Sequence, residues 1–517
     1  MEDQRESGAE VLLTASEAFP AFERLFLNAK SRISLGFRIF DPATSLHSPE
    51  GRAIGTDWFD LLAHTLARGV KIRLIISDFD AIVRPDYHQR ALRCLRMAIA
   101  AAEVSGRPDL LDAQVALHPA RVGWIPSLAL WPKARGYLLQ TVTRLNAMAP
   151  AARARALAEM PGVRPYLDIT PDGVSLRSWK MPRLTPVTHH QKLAVADGTH
   201  LYIGGLDLNE RRFDTLQHSQ PAAQTWHDAQ VLVESPVAKE AETHLDSFLK
   251  AVEGKSTPPP LPHLLRTLSR KRGFDALYLS PRVTLTELAR DHREAIAAAR
   301  QLIYLETQFL RDSQLTRQLV KAAHRNPDLG LIVILPAAPD DVAFDKNKGR
   351  DARYGEYLQA KCVKKLQQAF GQRVFLGAPA QRRSAPPDGR ATTYGAPLIY
   401  LHAKVSIIDP GQSNGRAIVS SANLNGRSMQ WDTEAGISLD DPADVTHLRD
   451  RCFAHWLGGE VAPEFTDPAT VLGAWRERAK SNARRAPEDR DGYLLPYSSG
   501  PARRFGRNLP GIPEEIV

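Results

Sequence analysis

Apolar runs separated by charged, helix-spaced stretches recur in the same order in the two halves of the chain. In the first half, Ser31 to Asp41 (SRISLGFRIFD) reads as a strand, about Asp57 to Arg68 as a helix, and Val70 to Asp80 (VKIRLIISDFD) as a second strand. In the second half, Arg300 to Asp312 (RQLIYLETQFLRD), about Ser313 to Arg325, and Leu329 to Asp340 (LGLIVILPAAPD) repeat strand, helix and strand. Each half is thus a βαβ unit, and the pattern predicts an α/β protein of two pseudo-symmetric mixed α/β lobes. Between them Gly254 to Pro262 (GKSTPPPLP) removes backbone donors from any regular element and reads as a linker. The predicted division is a first lobe 1–253, a linker 254–262, a second lobe 263–478, and a tail 479–517 draped on the surface or partly disordered. The first lobe carries a helical insert at about 87–165, rich in Ala, Leu and Arg, that the second half lacks.

Composition narrows the class without choosing a function. With 517 residues, 43% hydrophobic and 24% charged, the chain is long enough for two to four domains, and disorder, collagen and coiled coil are excluded as its main state. It has no apolar run of membrane-spanning length, and its polar, acid-bearing start MEDQRESGAE does not match an export leader. The expectation is a cytoplasmic protein or one held peripherally on a membrane, with secretion by a leaderless route as the alternative. A net charge of +9 favours anionic partners: phospholipid surfaces, nucleic acid or phosphorylated small molecules. Cys94, Cys362 and Cys452 lie too far apart in sequence for a disulfide framework or a Cys-x-x-Cys metal site.

Two segments carry chemistry. His190-Gln-Lys192-Leu-Ala-Val-Ala-Asp197 and His402-Ala-Lys404-Val-Ser-Ile-Ile-Asp409 both read His-x-Lys-x-x-x-x-Asp. With 16 histidines in the chain, chance would supply about 0.04 such matches. On a strand, His and Lys two residues apart share a face about 6.6 Å apart, suited to gripping one phosphate, while Leu193, Val195, Val405 and Ile407 turn toward a core. Ile203 to Asn209 (IGGLDLN) then aligns with Val419 to Asn425 (VSSANLN), and its small residues are expected to let the backbone approach a ligand oxygen. Each copy ends in an acid on a strand-like run, Asp228 after Trp226-His227 and Glu434 after Trp431-Asp432-Thr433, placed to fix a histidine tautomer.

These paired motifs resemble those of the phospholipase D superfamily. GGLDLNERRFDT (Gly204 to Thr215), Trp226-His227-Asp228 and Ile303 to Phe309 (IYLETQF) are similar to segments of the phospholipases D proper. The resemblance implies the phospholipase D fold and hydrolysis of a glycerophospholipid to phosphatidate and an alcohol through a phosphohistidine. It implies His190 as nucleophile, His402 as acid and then base, Lys192 and Lys404 with Asn423 on the phosphate oxygens, Asp197 and Asp409 as anchors, and Asp228 and Glu434 as histidine-orienting groups. The alternatives are a cardiolipin-synthase-like phosphatidyl transferase and a nuclease. Ser420 in place of the usual Gly, ten rather than six residues between Asp409 and Ser420, Asp207 opposite Asn423, and Thr307 in place of Asn put substrate identity in question, not the His and Lys pairs.

The partner expected is a phospholipid at a membrane surface, with nucleic acid not expected and a monomer as the working unit. Within the insert, Trp124, Trp131 and Tyr137 stand among Arg121, Lys133 and Arg135, which suits a membrane interface or a lid. No metal or other cofactor is expected, because the spacing of His189, His218 and His227 fits no common zinc pattern.

Overall fold

The computed structural model describes residues 8–177 and 180–517. They build two mixed α/β lobes. The first has a seven-stranded sheet in the order Glu10–Leu13, Ala229–Glu234, His200–Gly204, Lys192–Ala196, Arg32–Phe37, Lys71–Ser77, Leu111–Ala116. The second has nine strands: Arg282–Thr286, Leu264–Arg270, Glu434–Leu439, Arg416–Ser420, Lys404–Ile408, Leu302–Thr307, Gly330–Ile334, Val374–Pro379, Leu494–Pro496. Without its two outermost strands, the second order repeats the first position for position.

The repeat extends to register and capping. Lys192 pairs with Phe37 and Lys404 with Thr307 at the same end of the same antiparallel ladder. Asp57 caps the helix Trp58–Ala67 by accepting from the backbone of Phe59 and Asp60, and Asp312 caps Ser313–Arg325 by accepting from Leu315, each satisfying donors that a helix start leaves free. Leu193, Val195, Val405 and Ile407 belong to one apolar cluster, with Leu201, Ile203, Val419 and Trp456, that runs through both lobes. On the other side of these strands Ala194 lies in a separate cluster with Phe22 and Trp58, while Ser406 meets His292 Nε2 at 3.2 Å.

Two boundaries differ from the sequence reading. The first part of the expected insert belongs to the repeat: helix Pro85–Val104 joins the parallel strands Lys71–Ser77 and Leu111–Ala116, as Arg350–Phe370 joins Gly330–Ile334 and Val374–Pro379. The part without a counterpart comes after Ala116 and holds helices Trp124–Asn146 and Pro150–Ala158 around Leu138, Leu145, Met160 and Val163. The expected tail is built into the second lobe. Ala479 sits inside helix Val471–Arg484, Leu494–Pro496 is the edge strand beside Val374–Pro379, and Glu514 accepts from the Ser313 hydroxyl at 2.7 Å. These terminal elements are too short to show a period, so the sequence could not separate them from coil.

The last motif residue closes the turn after each motif strand. Asp197 and Asp409 have φ of 53° and 47°, a left-handed conformation that Asp tolerates better than most residues. Asp197 accepts backbone N–H bonds from Lys30, Ser31 and Arg32 at 2.8, 2.8 and 3.0 Å, and Asp409 from Arg300, Gln301 and Leu302 at 2.7, 2.8 and 3.0 Å. Each carboxylate therefore ties the motif strand to the start of its central neighbour. Burial alone would raise the Asp197 carboxyl, but the Ser31 hydroxyl and those three amides hold it at about 2. Asp409→Ala orphans three donors and leaves a strained φ, so we expect a loss of about 2–4 kcal/mol, with Asp409→Asn milder. Calorimetric unfolding checks this; equal transitions for Asp409→Ala and the parent chain would refute the anchoring role.

Candidate active site

The motif histidines sit just before their strands, which begin at the lysines. The expected side-by-side placement on one strand is replaced by two short bridges that cross between the lobes. In one, the His190 and Gln191 amides donate to Thr433 O at 2.8 and 2.9 Å, and the Thr433 amide donates to Thr188 O at 3.0 Å. In the other, the His227 amide donates to Tyr400 O at 2.8 Å and the His402 amide to His227 O at 2.7 Å. Each bridge sets a histidine beside an acid of the opposite lobe. His190 Nδ1 lies 2.9 and 3.1 Å from the two Glu434 oxygens, and His402 Nδ1 lies 2.6 Å from Asp228 Oδ2.

All four groups are buried. Burial, then Lys192, Arg38, Lys404 and Arg427, hold His190 well below its usual value; burial, then Lys404, Arg212, Lys192 and His190, do the same to His402. Burial raises Asp228 and pushes Glu434 up to about 8. Burial also lowers Lys192, and takes Lys404 down to about 7. The site is thus crowded with groups that resist charge, and a bound anion would restore the ammonium and imidazolium forms. With the shared proton on Nδ1, each histidine keeps an Nε2 lone pair for chemistry. Meanwhile Lys192 Nζ donates to His190 O at 2.5 Å, and Lys404 Nζ donates to His402 O and stands 2.8 Å from His402 Nδ1.

The aligned small residues act differently from the expectation: they admit the orienting acids. A Cβ on Gly205 would lie 2.1 Å from Asp228 Oδ1, and one on Gly204 2.0 Å from Gln230 Oε1. At the position opposite Gly205, Ser421 donates its hydroxyl to Glu434 at 2.5 Å. Asn423 is buried with its Oδ1 unpartnered, while Asp207 accepts from the Ile39 amide at 3.0 Å and lies 4.0 Å from Lys192 Nζ. Sequence reasoning missed Arg38, 3.5 Å from Asp207, and Arg212, whose guanidinium lies 3.6 Å over Trp226 while that indole lies 4.5 Å from the His402 ring. Arg212 stands three residues past the GGLDLN run, inside the GGLDLNERRFDT segment, and that position was its signal.

Residues 293–456 match the family model described as cardiolipin synthase, PLD-like domain. That matched span lies in the second lobe and contains His402, Lys404, Asp409, Asn423 and Glu434. No curated protein sequence matches the chain. Among solved structures the chain is similar to a phosphatidylserine synthase from Haemophilus influenzae Rd KW20, with TM-score 0.48 and 12% identity over 92% of this chain and 94% of that one. It is also similar to a polyphosphate kinase from Porphyromonas gingivalis, with TM-score 0.43 and 10% identity over 92% of this chain; it spans 56% of the kinase. None of these likenesses singles out the phospholipases D proper.

Gly205→Ala should fold yet displace the Asp228 carboxylate, because its only new atom lands on Oδ1. In histidine-labelled protein we expect the low-field Nδ1 proton of His402 to disappear while that of His190 persists; persistence of both would show that Gly205 does not make room for the acid.

Proposed function

We propose that this protein is a phospholipase D-type phosphatidyl transferase, moving the phosphatidyl group of a glycerophospholipid to an alcohol through a phosphohistidine. The observation that carries this reading is the pair of buried histidines at one inter-lobe site, each braced at Nδ1 by the other lobe's carboxylate. His190 Nε2 attacks phosphorus, the P–N bond forms as the ester P–O bond breaks, and His402 gives its proton to the departing alkoxide. The acceptor hydroxyl then loses its proton to His402, its oxygen attacks phosphorus, and His190 leaves. Lys192, Lys404 and Asn423 stabilise charge on the non-bridging oxygens. Both histidines come from one chain, so a monomer suffices.

Transfer is favoured over hydrolysis by the cardiolipin-synthase-type match of the second lobe. Hydrolysis is the second reading, supported by the GGLDL and Trp-His-Asp segments, and differs only in accepting water. Among the described residues no helix is long and apolar enough to cross a membrane; in this reading the lipid is met at a surface. A surface suited to this joins the lobes. Trp124, Ile125 and Leu128 are exposed at 56%, 42% and 49%, and the loop bearing Phe274 (77%), Leu277 (65%) and Tyr278 (48%) caps that helix start, with Asp275 O and Ala276 O accepting from the Trp124 and Ile125 amides. Lys133 and Arg135, also exposed, lie further along the same helix. Trp131, expected to share this role, is only partly exposed.

Incubation with vesicles of isotope-labelled phosphatidylglycerol and phosphatidylcholine decides between the readings. Cardiolipin with free glycerol supports transfer, phosphatidate alone indicates hydrolysis, and inert vesicles with cleaved DNA would overturn both. His190→Ala should abolish turnover and any acid-labile phosphoenzyme. His402→Ala should slow turnover at least about 100-fold yet still trap phosphate from a substrate with a good leaving group; an adduct on His402 alone would reverse the roles. Trp124→Ala with Phe274→Ala should weaken binding to anionic vesicles about tenfold or more with little change on a soluble short-chain substrate, and unchanged vesicle binding would remove the surface from the reading.

A further inference from the structure

Behind the Asp228–His402 pair lies a second cluster of polar groups that the phosphoryl chemistry does not use. One ring nitrogen from each of His218, His227 and His455 lies within 4.8 Å of the others. His218 and His227 belong to the first lobe, and His455 to helix Pro442–Leu457 of the second. His218 and His455 meet Nε2 to Nε2 at 3.1 Å, close to the ~3.3 Å that separates two ligand nitrogens on a tetrahedral zinc ion. The Asp214 carboxylate lies 2.6 Å from His218 Nδ1 and also accepts from the Trp226 amide at 2.7 Å. Its bond fixes the Nδ1–H tautomer and turns the Nε2 lone pair into the cluster, the carboxylate–histidine arrangement that accompanies metal ligands. His227 is fully buried, and its Nδ1 has no hydrogen-bond partner. Its Nε2 faces the buried Glu306 carboxylate, with Oε2 at 3.4 Å. A buried ring nitrogen left without a partner is costly and rare.

We propose that His218, His227 and His455, with Glu306 in reach, form a site for a divalent transition-metal ion of the zinc type that ties the lobes together behind the catalytic pair. Imidazole and carboxylate donors suit such an ion, and its charge would answer the two carboxylates, Asp214 and Glu306, that face the histidines. The role is positional. The ion would pin His227, whose carbonyl accepts from the His402 amide and whose neighbour Asp228 orients the His402 ring. The ion takes no part in the phosphoryl steps.

Full-length protein dialysed against a chelator is the test material, and metal content and unfolding temperature are the readouts, so the outcome does not depend on which lipid reaction occurs. Adding Zn²⁺ should restore about one ion per chain and raise the unfolding temperature by a few degrees. Co²⁺ should give the visible absorption bands of a tetrahedral nitrogen-rich site. His455→Ala, which leaves His218 and His227 in place, should lose both the bands and the thermal increment while keeping the far-ultraviolet circular dichroism of the parent. If that variant fails to fold, His455→Gln and the parent chain's own Zn²⁺ and Co²⁺ titrations carry the decision. A parent chain indifferent to Zn²⁺ and colourless with Co²⁺ overturns the proposal, as does a folded His455→Ala or His455→Gln chain that binds as tightly as the parent.

Discussion

The Nδ1 nitrogens of His190 and His402 are held by carboxylates from the opposite lobe, and the rest of the architecture serves that exchange. A buried carboxylate without a partner is costly, and breaking a buried pair by removing one side costs about 3–5 kcal/mol. Glu434 and Asp228 are both fully buried. Each lobe on its own would therefore carry an acid and a histidine with no answer. Docking pairs both acids at once, and the bridges at Thr433 and His227 fix the backbone within hydrogen-bond reach on either side. The apolar cluster shared by Leu193, Val195, Val405 and Ile407 makes that docking permanent. A site assembled this way cannot exist in half of the molecule, which is a physical reason for duplicated lobes to stay on one chain.

How much was legible in the sequence depends on the range over which each interaction acts. Strand, crossover helix and strand are local, so the repeat, the helix starts at Asp57 and Ser313, and the alternation that sends Leu193 and Val405 to the core could all be read from period and spacing. The His, Lys and Asp positions of the motifs were legible because they recur at fixed offsets. The partner of each histidine was not: Asp228 and Glu434 could be named as orienting acids, but the cross-lobe exchange depends on how two sheets dock. The same limit hid the histidine cluster, since His455 lies 237 residues from His218. Helix Pro85–Val104 was assigned to the insert because its Ala-rich pattern resembles that of helices Trp124–Asn146 and Pro150–Ala158, and only the parallel pairing of Leu111–Ala116 shows that it is a crossover.

The two halves of the site are alike in plan and unlike in detail, and the differences bear on how equivalent motifs could take unequal roles. Around His402 the acid is the shorter Asp228, admitted by the bare backbone of Gly205, and the ring lies against Trp226 with the Arg212 guanidinium on the indole. Around His190 the acid is the longer Glu434, which also accepts from Ser421. Asp228 in turn accepts from the Ala229 amide at 3.0 Å, so both acids carry a second hydrogen bond and the remaining difference is distance: Asp228 stands 2.6 Å from its histidine, against 2.9 and 3.1 Å for Glu434. The closer acid better stabilises an imidazolium, the form that a proton donor must reach, and the more distant one leaves its ring more readily neutral, the form that attacks phosphorus. Small side-chain changes laid over a symmetric frame thus run in the direction of the proposed roles, acid at His402 and nucleophile at His190.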